Sequence, residues 1–465
     1  MPNPMMNLGR NGPRLCMILH CFATTRKGGA EGARGRDGAA TDKRWQFRYW
    51  GSPRPREPLG WLQMQQLSTT ERSLVEGIDA AAMLARVEAW CALNTGTGNL
   101  DGLARQWDLL ADAFAALPGT IRKVASAPVT AIGTDGRERE TANGAHFVLS
   151  VRPDAPRRYL LTGHMDTVFG PSHPFQTLRW LDGETLGGPG VADMKGGIAV
   201  ILAALAAFEK SPVAPSVGYD VMINSDEETG SLSSAALIAE LARGKAAALT
   251  YEPSALPDGT LAGERPGSGN YSAIVKGRSA HAGRNPQDGR NAILAAADLA
   301  LRLKALQEPG LSVNPARIDG GSANNVVPDH AILRFNVRPR LPEQAARFDA
   351  ALRDLILATE AAHEVSIHLH GGVSRPPKPL TAEAGALFGL VRECGEALGQ
   401  PIRWQASGGV CDGNNIAACG VPVVDTMGVR GGAIHSDQEF LIVPSLAERA
   451  ALSALVLHRL SGGNR

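Results

Sequence analysis

The chain has 465 residues, 44% of them hydrophobic, enough to bury a large core and to divide into more than one domain. Its 47 basic residues nearly cancel its 46 acidic ones, for a net charge of +1, so no global field argues for nucleic acid or an anionic membrane as partner. No apolar run approaches the roughly 18 to 20 residues of a membrane span, which leaves a small molecule or short peptide as the default substrate.

Residues 1 to about 70 are rich in Arg, Gly and Pro and lack helical or strand periodicity, so they are expected to be a disordered extension or a start assigned too far upstream of Met64. Within them, LCMILHCFA at 15–23 imitates a signal peptide, but it contains His20 and lacks a small-x-small cleavage site. The six cysteines (Cys16, Cys21, Cys91, Cys394, Cys411, Cys419) form no CxxC pair, which points to free thiols in a reducing cytoplasm, with export as the alternative.

From about 72, ERSLVEGIDAAAMLARVEAWCAL reads as one amphipathic helix and DGLARQWDLLADAFAAL as a second, with NTGTGNLDG as the turn between them. Short apolar strands then alternate with helices through HFVLSVR, RYLLTGHMD, GGIAVILAALAAFEK, GYDVMINSDEE, SSAALIAELAR and AALTYEP. Such alternation predicts an α/β fold with a mostly parallel sheet flanked by helices, whose ligands bind beyond the C-terminal strand ends. After GERPGSG the order becomes β-α-β-β-α-β, which predicts a ferredoxin-like α+β module inserted at 267–373. The catalytic domain would then comprise 71–266 and 374–465.

Several acids and histidines lie at strand ends or in glycine-marked turns. LLTGHMDTV sets His164 and Asp166 two apart, so an imidazole can meet a metal while the carboxylate orients it; alone, the pair also describes a surface contact. Asp193 in GGPGVADMKGG suits a bridging carboxylate or, more plainly, a helix cap. INSDEETGS gives adjacent Glu227 and Glu228, which repel unless cations or a shared proton compensate; one could bind metal and the other act as general base, or both could line a solvated turn. Glu252 in YEPS and His435 in GGAIHSDQEF complete a set with the composition of a two-metal hydrolytic site.

HMDTV, GPGVADMKGG, DEETGS, YEPS, GRSAHAG, SANNVVPD and a late HSD occur in an order and spacing that resemble the cocatalytic dizinc peptidases, among them glutamate carboxypeptidase, acetylornithine deacetylase, succinyl-diaminopimelate desuccinylase and aminoacylase. The resemblance covers about 75–465, and NTGTGNLDG looks most like the glutamate carboxypeptidase branch. It implies His164 and Glu252 on one zinc, Glu228 and His435 on the other, Asp193 bridging, Glu227 as general base and Asp166 supporting His164. Two divalent ions, zinc or alternatively cobalt or manganese, would polarise the scissile carbonyl. The resemblance further implies a homodimer built through the insert, in which His281 reaches the other subunit's site as an oxyanion donor. Asn325, Arg338 and Arg375 match substrate-binding positions, and SGGVCDGNN places Gly409 and Asp412 in the lining, with Cys411 as a buried small residue.

The expected activity is hydrolysis of an amide next to a free carboxylate, as in a carboxypeptidase acting on a C-terminal residue such as glutamate. The alternatives are an N-acyl amino acid or diamino acid deacylase and a non-catalytic carboxylate-binding relative. A lysine that recognises the substrate side chain in the glutamate carboxypeptidase branch has no counterpart in GTLAGERPGSGN, where Arg265 is only a nearby cation.

Overall fold

The structure is a computed structural model that describes residues 67–462. The expectations for the N-terminal 66 residues, including Cys16, Cys21 and the signal-like segment, lie outside the described residues. The predicted first helix is two: Thr69–Glu76 stops at Gly77, and Asp79 starts Ala80–Cys91 by accepting from the Ala82 N–H at 2.9 Å. A glycine followed two residues later by a capping aspartate outweighs the continuous apolar pattern.

The main sheet has the order Thr120–Val124, His146–Val151, Val217–Asn224, Arg157–His164, Ala247–Thr250, Val423–Val424. Its first two junctions are antiparallel and the other three parallel, so it is a mixed sheet flanked by helices. Successive residues face opposite layers. Phe147, Leu149, Leu161, Val221 and Leu249 join the large core beneath helices Gly196–Phe208 and Ser445–Leu460, whereas Val148, Leu160, Met222 and Ala248 pack against Leu237, Ile238 and Ile416. Both faces are covered, which is why these strands read as continuous apolar runs.

By length and composition alone, Val191–Phe208 could cross a membrane, which corrects the expectation that no run approaches that length; 89% of it is buried inside the protein, where it serves as a core helix.

Between Ser268 and Arg375 lies a four-stranded antiparallel sheet in the order Leu311–Gly320, His330–Pro339, Ser268–Lys276, Ser366–Arg375. Helices Ala292–Ala305 and Pro342–His363 cover one face through Tyr271, Ala273, Val275, Leu299 and Phe348. The other face carries Ile274 and Ile332, which pack on Ile132 of a hairpin, Val129–Ile132 with Glu138–Thr141, contributed by the first half of the chain. Arg334 of the sheet donates to the carbonyls of Ile132 and Gly133, each at 3.0 Å, and Thr130 Oγ1 lies 3.1 Å from His370 Nε2.

Candidate metal centre

Three neighbouring parallel strands deliver three segments of the site to one edge of the sheet. His164 ends its strand opposite Asn224, Glu227 and Glu228 follow Asn224 by a short turn, and Glu252 lies two residues beyond the end of Ala247–Thr250. Asp193 comes from the turn before helix Gly196–Phe208, which approaches so closely that a Cβ on Gly197 would sit 2.0 Å from the Tyr251 carbonyl oxygen. Only a glycine permits that approach.

These side chains converge as two triads, His164–Asp193–Glu252 and Asp193–Glu228–His435, with the ligand atoms of each triad within 4.8 Å of one another. His164 Nε2 lies 3.1 Å from Asp193 Oδ1 and 3.6 Å from Glu252 Oε2. His435 Nε2 lies 3.3 Å from Asp193 Oδ2 and 3.1 Å from Glu228 Oε2. Asp193 therefore offers one oxygen to each triad, the geometry of a carboxylate spanning two cations.

Asp166 ties two of these segments together. His164 Nδ1 sits 3.0 Å from the Asp166 carbonyl oxygen and 3.4 Å from its carboxylate, while that carboxylate accepts from the N–H groups of Glu227 and Glu228, both at 3.2 Å. Thr97 Oγ1, from the NTGTGN turn, donates to it at 2.8 Å. A histidine held through Nδ1 keeps Nε2 for a metal.

The electrostatics call for positive charge. Burial pushes Glu227 well above the carboxylate range, against the pull of Arg375, and burial with the nearby Asp193 raises Glu228 to about 7. Burial also raises Glu252 and opposes charge on His164, but Glu252, Asp166 and Asp193 together raise His164 well above its usual value. Hydrogen bonds to Asp193 and Glu228 lift His435 to about 10. Carboxylates and imidazoles that crowd one another in this way fit divalent cations in the place of the protons they hold.

A cleft of about 740 Å³ opens over the triads, lined by Asp193, Glu227, Glu228, Glu252, Arg338, Arg375, Gly409 and His435 among others. Arg338 donates through Nε to Asn336 Oδ1 at 3.1 Å, and its two Nη groups have no partner among the described residues. Asp412 lies behind the lining, buried and held by Asn224, Ser231 and Arg375. Cys411 is buried and its thiol is pushed above its usual pKa by burial. His281 and Asn325 do not join the cleft: both are exposed, His281 pairing with Val326 in the ribbon formed by Ala280–His281 and Val326–Val327, and the Asn325 carbonyl accepting from the Ala282 N–H at 2.9 Å just beyond it.

Sequence reasoning passed over three residues that build this centre. Glu439 accepts from the N–H groups of Gly190, Ala192 and Asp193 at 3.2, 2.9 and 3.0 Å, and so holds the Asp193 turn; burial and Asp193 raise it to about 8. Its signal was an acid four residues after His435 in the same motif. Thr97 acts through Asp166, and Asp425 anchors Arg265 at 2.8 Å against the cleft wall.

Two candidate metal-binding triads sharing one carboxylate at the strand ends of an α/β sheet are the donor set expected of a metal-dependent hydrolase of the dinuclear kind. The chain belongs to peptidase family M20/M25/M40, whose family model matches residues 160–459. It is 28% identical over 394 residues to carboxypeptidase G2 of Pseudomonas sp. (strain RS-16), covering 82% of this chain and 90% of that protein. It is 31% identical over 323 residues to succinyl-diaminopimelate desuccinylase of Xanthomonas euvesicatoria pv. vesicatoria (strain 85-10), covering 65% of this chain and 83% of the relative. Aminopeptidase PepT from Bacillus cereus ATCC 10987 shares the fold at a TM-score of 0.64 and 21% identity, over 82% of this chain and 99% of that one. The protein is accordingly a metal-dependent hydrolase of amide or peptide bonds, in a family that binds two metal ions.

Proposed function

We propose that the protein is a dizinc carboxypeptidase that cleaves the amide preceding a residue with a free carboxylate. The observation that carries this reading is the pair of triads sharing Asp193, with Glu227 beside them in one cleft. His164 with Glu252 would hold one ion, His435 with Glu228 the other, and Asp193 both; zinc suits this set of nitrogen and oxygen donors, with cobalt or manganese as substitutes. When bound, the ions supply the positive charge that polarises the scissile carbonyl and makes the attacking water more acidic. Glu227 takes a proton from that water and returns it to the leaving nitrogen, and Asp166 keeps His164 in the tautomer that leaves Nε2 free.

The open fork of Arg338 is suited to the substrate carboxylate, since its two Nη groups can donate in parallel, and Gly409 lets substrate lie close to the chain. The segment 267–373 would act as a dimerisation and lid domain of a homodimer. Exposure of His281 and Asn325 away from their own cleft supports a role at the site of a second copy. Near-neutral charge supports small molecules as substrates, with no nucleic acid or membrane partner, and free cysteines support a reducing, cytoplasmic setting.

The test is a hydrolysis screen of the zinc-loaded protein on benzoyl-glycyl-amino acids and N-acetyl amino acids, with and without chelator. Release of the C-terminal residue, lost on chelation and restored by zinc, is the expected result; turnover of neither series would overturn the reading. The 31% identity to a desuccinylase supports a second reading, an N-acyl amino acid or diamino acid deacylase, which the N-acyl series would reveal.

A further inference from the structure

Arg375 stands where the chain leaves the four-stranded sheet, at the end of Ser366–Arg375 and opposite Ser268. Its side chain is buried, and its guanidinium is engaged from within the protein. Nη2 donates to the Glu227 carbonyl oxygen at 3.0 Å, to Glu227 Oε1 at 2.6 Å and to Ser231 Oγ at 3.0 Å. Nη1 donates to Asp412 Oδ1 at 2.9 Å and lies 3.5 Å from Asn415 Oδ1. Asp412 is fixed in turn, Oδ1 accepting from Ser231 Oγ at 2.5 Å and Oδ2 from Asn224 Nδ2 at 2.8 Å.

We propose that Arg375 is the positioning residue of Glu227, braced by Asp412, and does not contact the substrate carboxylate; the inference rests on Glu227 being the general base. A guanidinium has five N–H groups, and here both Nη groups are committed, so no parallel pair remains for a carboxylate. Arg338 is the contrast, tethered among the described residues only through Nε.

A base also needs one carboxylate oxygen free for the proton. Arg375 occupies Oε1 of Glu227, while Oε2 has no hydrogen-bond partner among the described residues. The same guanidinium grips the Glu227 carbonyl, and Asp166 holds the Glu227 N–H, so the residue is fixed at both ends of its backbone and at one oxygen of its side chain. The arrangement suits a group whose value lies in where it points, because a misplacement of about 1 Å in an active site can cost on the order of 100-fold in rate.

The test uses the full-length zinc-loaded protein, a benzoyl-glycyl-amino acid and the same compound with its C-terminal carboxylate converted to a carboxamide. Arg375→Gln and Asp412→Asn should each lower kcat roughly 100-fold, leave KM within about 3-fold and preserve the preference for carboxylate over carboxamide. Arg375→Lys should restore part of kcat, and Arg375→Gln added to Glu227→Gln should cost nothing more, because residues acting as a unit are not additive. Metal content and thermal melting confirm folding, and if Arg375→Gln does not fold, Arg375→Lys and Asp412→Asn carry the comparison. A rise in KM with loss of the carboxylate preference, or independent multiplication of the two losses, overturns the proposal. Full activity of Glu227→Gln would instead overturn the choice of base, a separate outcome.

Discussion

The two triads share Asp193 but are built from different material. In one, His164 and Asp193 have side chains 1% and 6% exposed, and two of its three ligands sit at or just beyond the ends of adjacent parallel strands. In the other, the His435 side chain is 54% exposed and lies in a loop where His435 and Ala433 adopt left-handed φ values of +62° and +53°. A non-glycine residue in that region costs of order 1 kcal/mol or more and persists only where its surroundings enforce it. Here Ser436 does part of that work, donating to the Ala433 carbonyl at 2.6 Å. One triad is thus set by strand ends and the turn before a core helix, whereas the other takes its histidine from an exposed loop, so a shared carboxylate does not make the two triads equivalent.

Substitution of the shared residue should have the largest effect. Asp193→Asn is expected to abolish both ion positions and to lower activity by at least roughly 10,000-fold; a protein that still binds two ions by elemental analysis would break the bridging assignment. Glu227→Gln should lower kcat roughly 1000-fold with both ions retained, measured by steady-state kinetics beside metal content. Next comes the comparison itself. Chelator should remove the ions in two phases, and His435→Ala, which removes a direct donor, should delete the faster phase and leave the slower one in place. A single phase in the parent would mean that the loop and the sheet release their ions together.

The smallest effect is a control remote from the cleft. Burial would raise the Glu71 carboxyl, but Arg459, whose Nε lies 2.7 Å away, and Ser68 outweigh it and hold Glu71 below its usual value. A carboxyl with a lowered folded pKa contributes stability above its unfolded pKa, near 4.5, and loses it as pH falls through the folded value. Glu71→Gln should therefore cost about 1 kcal/mol at pH 7 and less at pH 3 in denaturant melts, with both chelation phases unchanged. Loss of either phase would show that the N-terminal helices feed into the metal centre.

Much of this organisation was legible from the chain because the same physics writes both. Strands buried on two faces leave unbroken apolar runs, and the residues that close them, His164, Glu227, Glu228 and Glu252, stand out as polar groups at the ends of such runs. Residues that act on backbone were harder to see. Glu439 serves three N–H groups some 250 positions away in sequence, and a carboxylate that binds amides has no composition of its own. Arg375 was legible as a residue near the site, but its partner is 148 positions distant, and no spacing announces that its fork is already filled. The hairpin at 129–141 went unseen because each strand has only four residues, and Glu138–Thr141 is polar and exposed throughout, with no alternation to follow.

That hairpin also limits how portable the four-stranded sheet of residues 268–375 is. Cut out at its sequence boundaries, the four-stranded sheet would leave behind the strand pair that covers Ile274 and Ile332 and accepts the Arg334 hydrogen bonds. A graft of residues 267–373 onto another hydrolase would present a greasy, half-satisfied sheet face to water. The sheet with both faces covered is discontinuous in sequence: residues 268–375 together with the hairpin 129–141 from earlier in the chain.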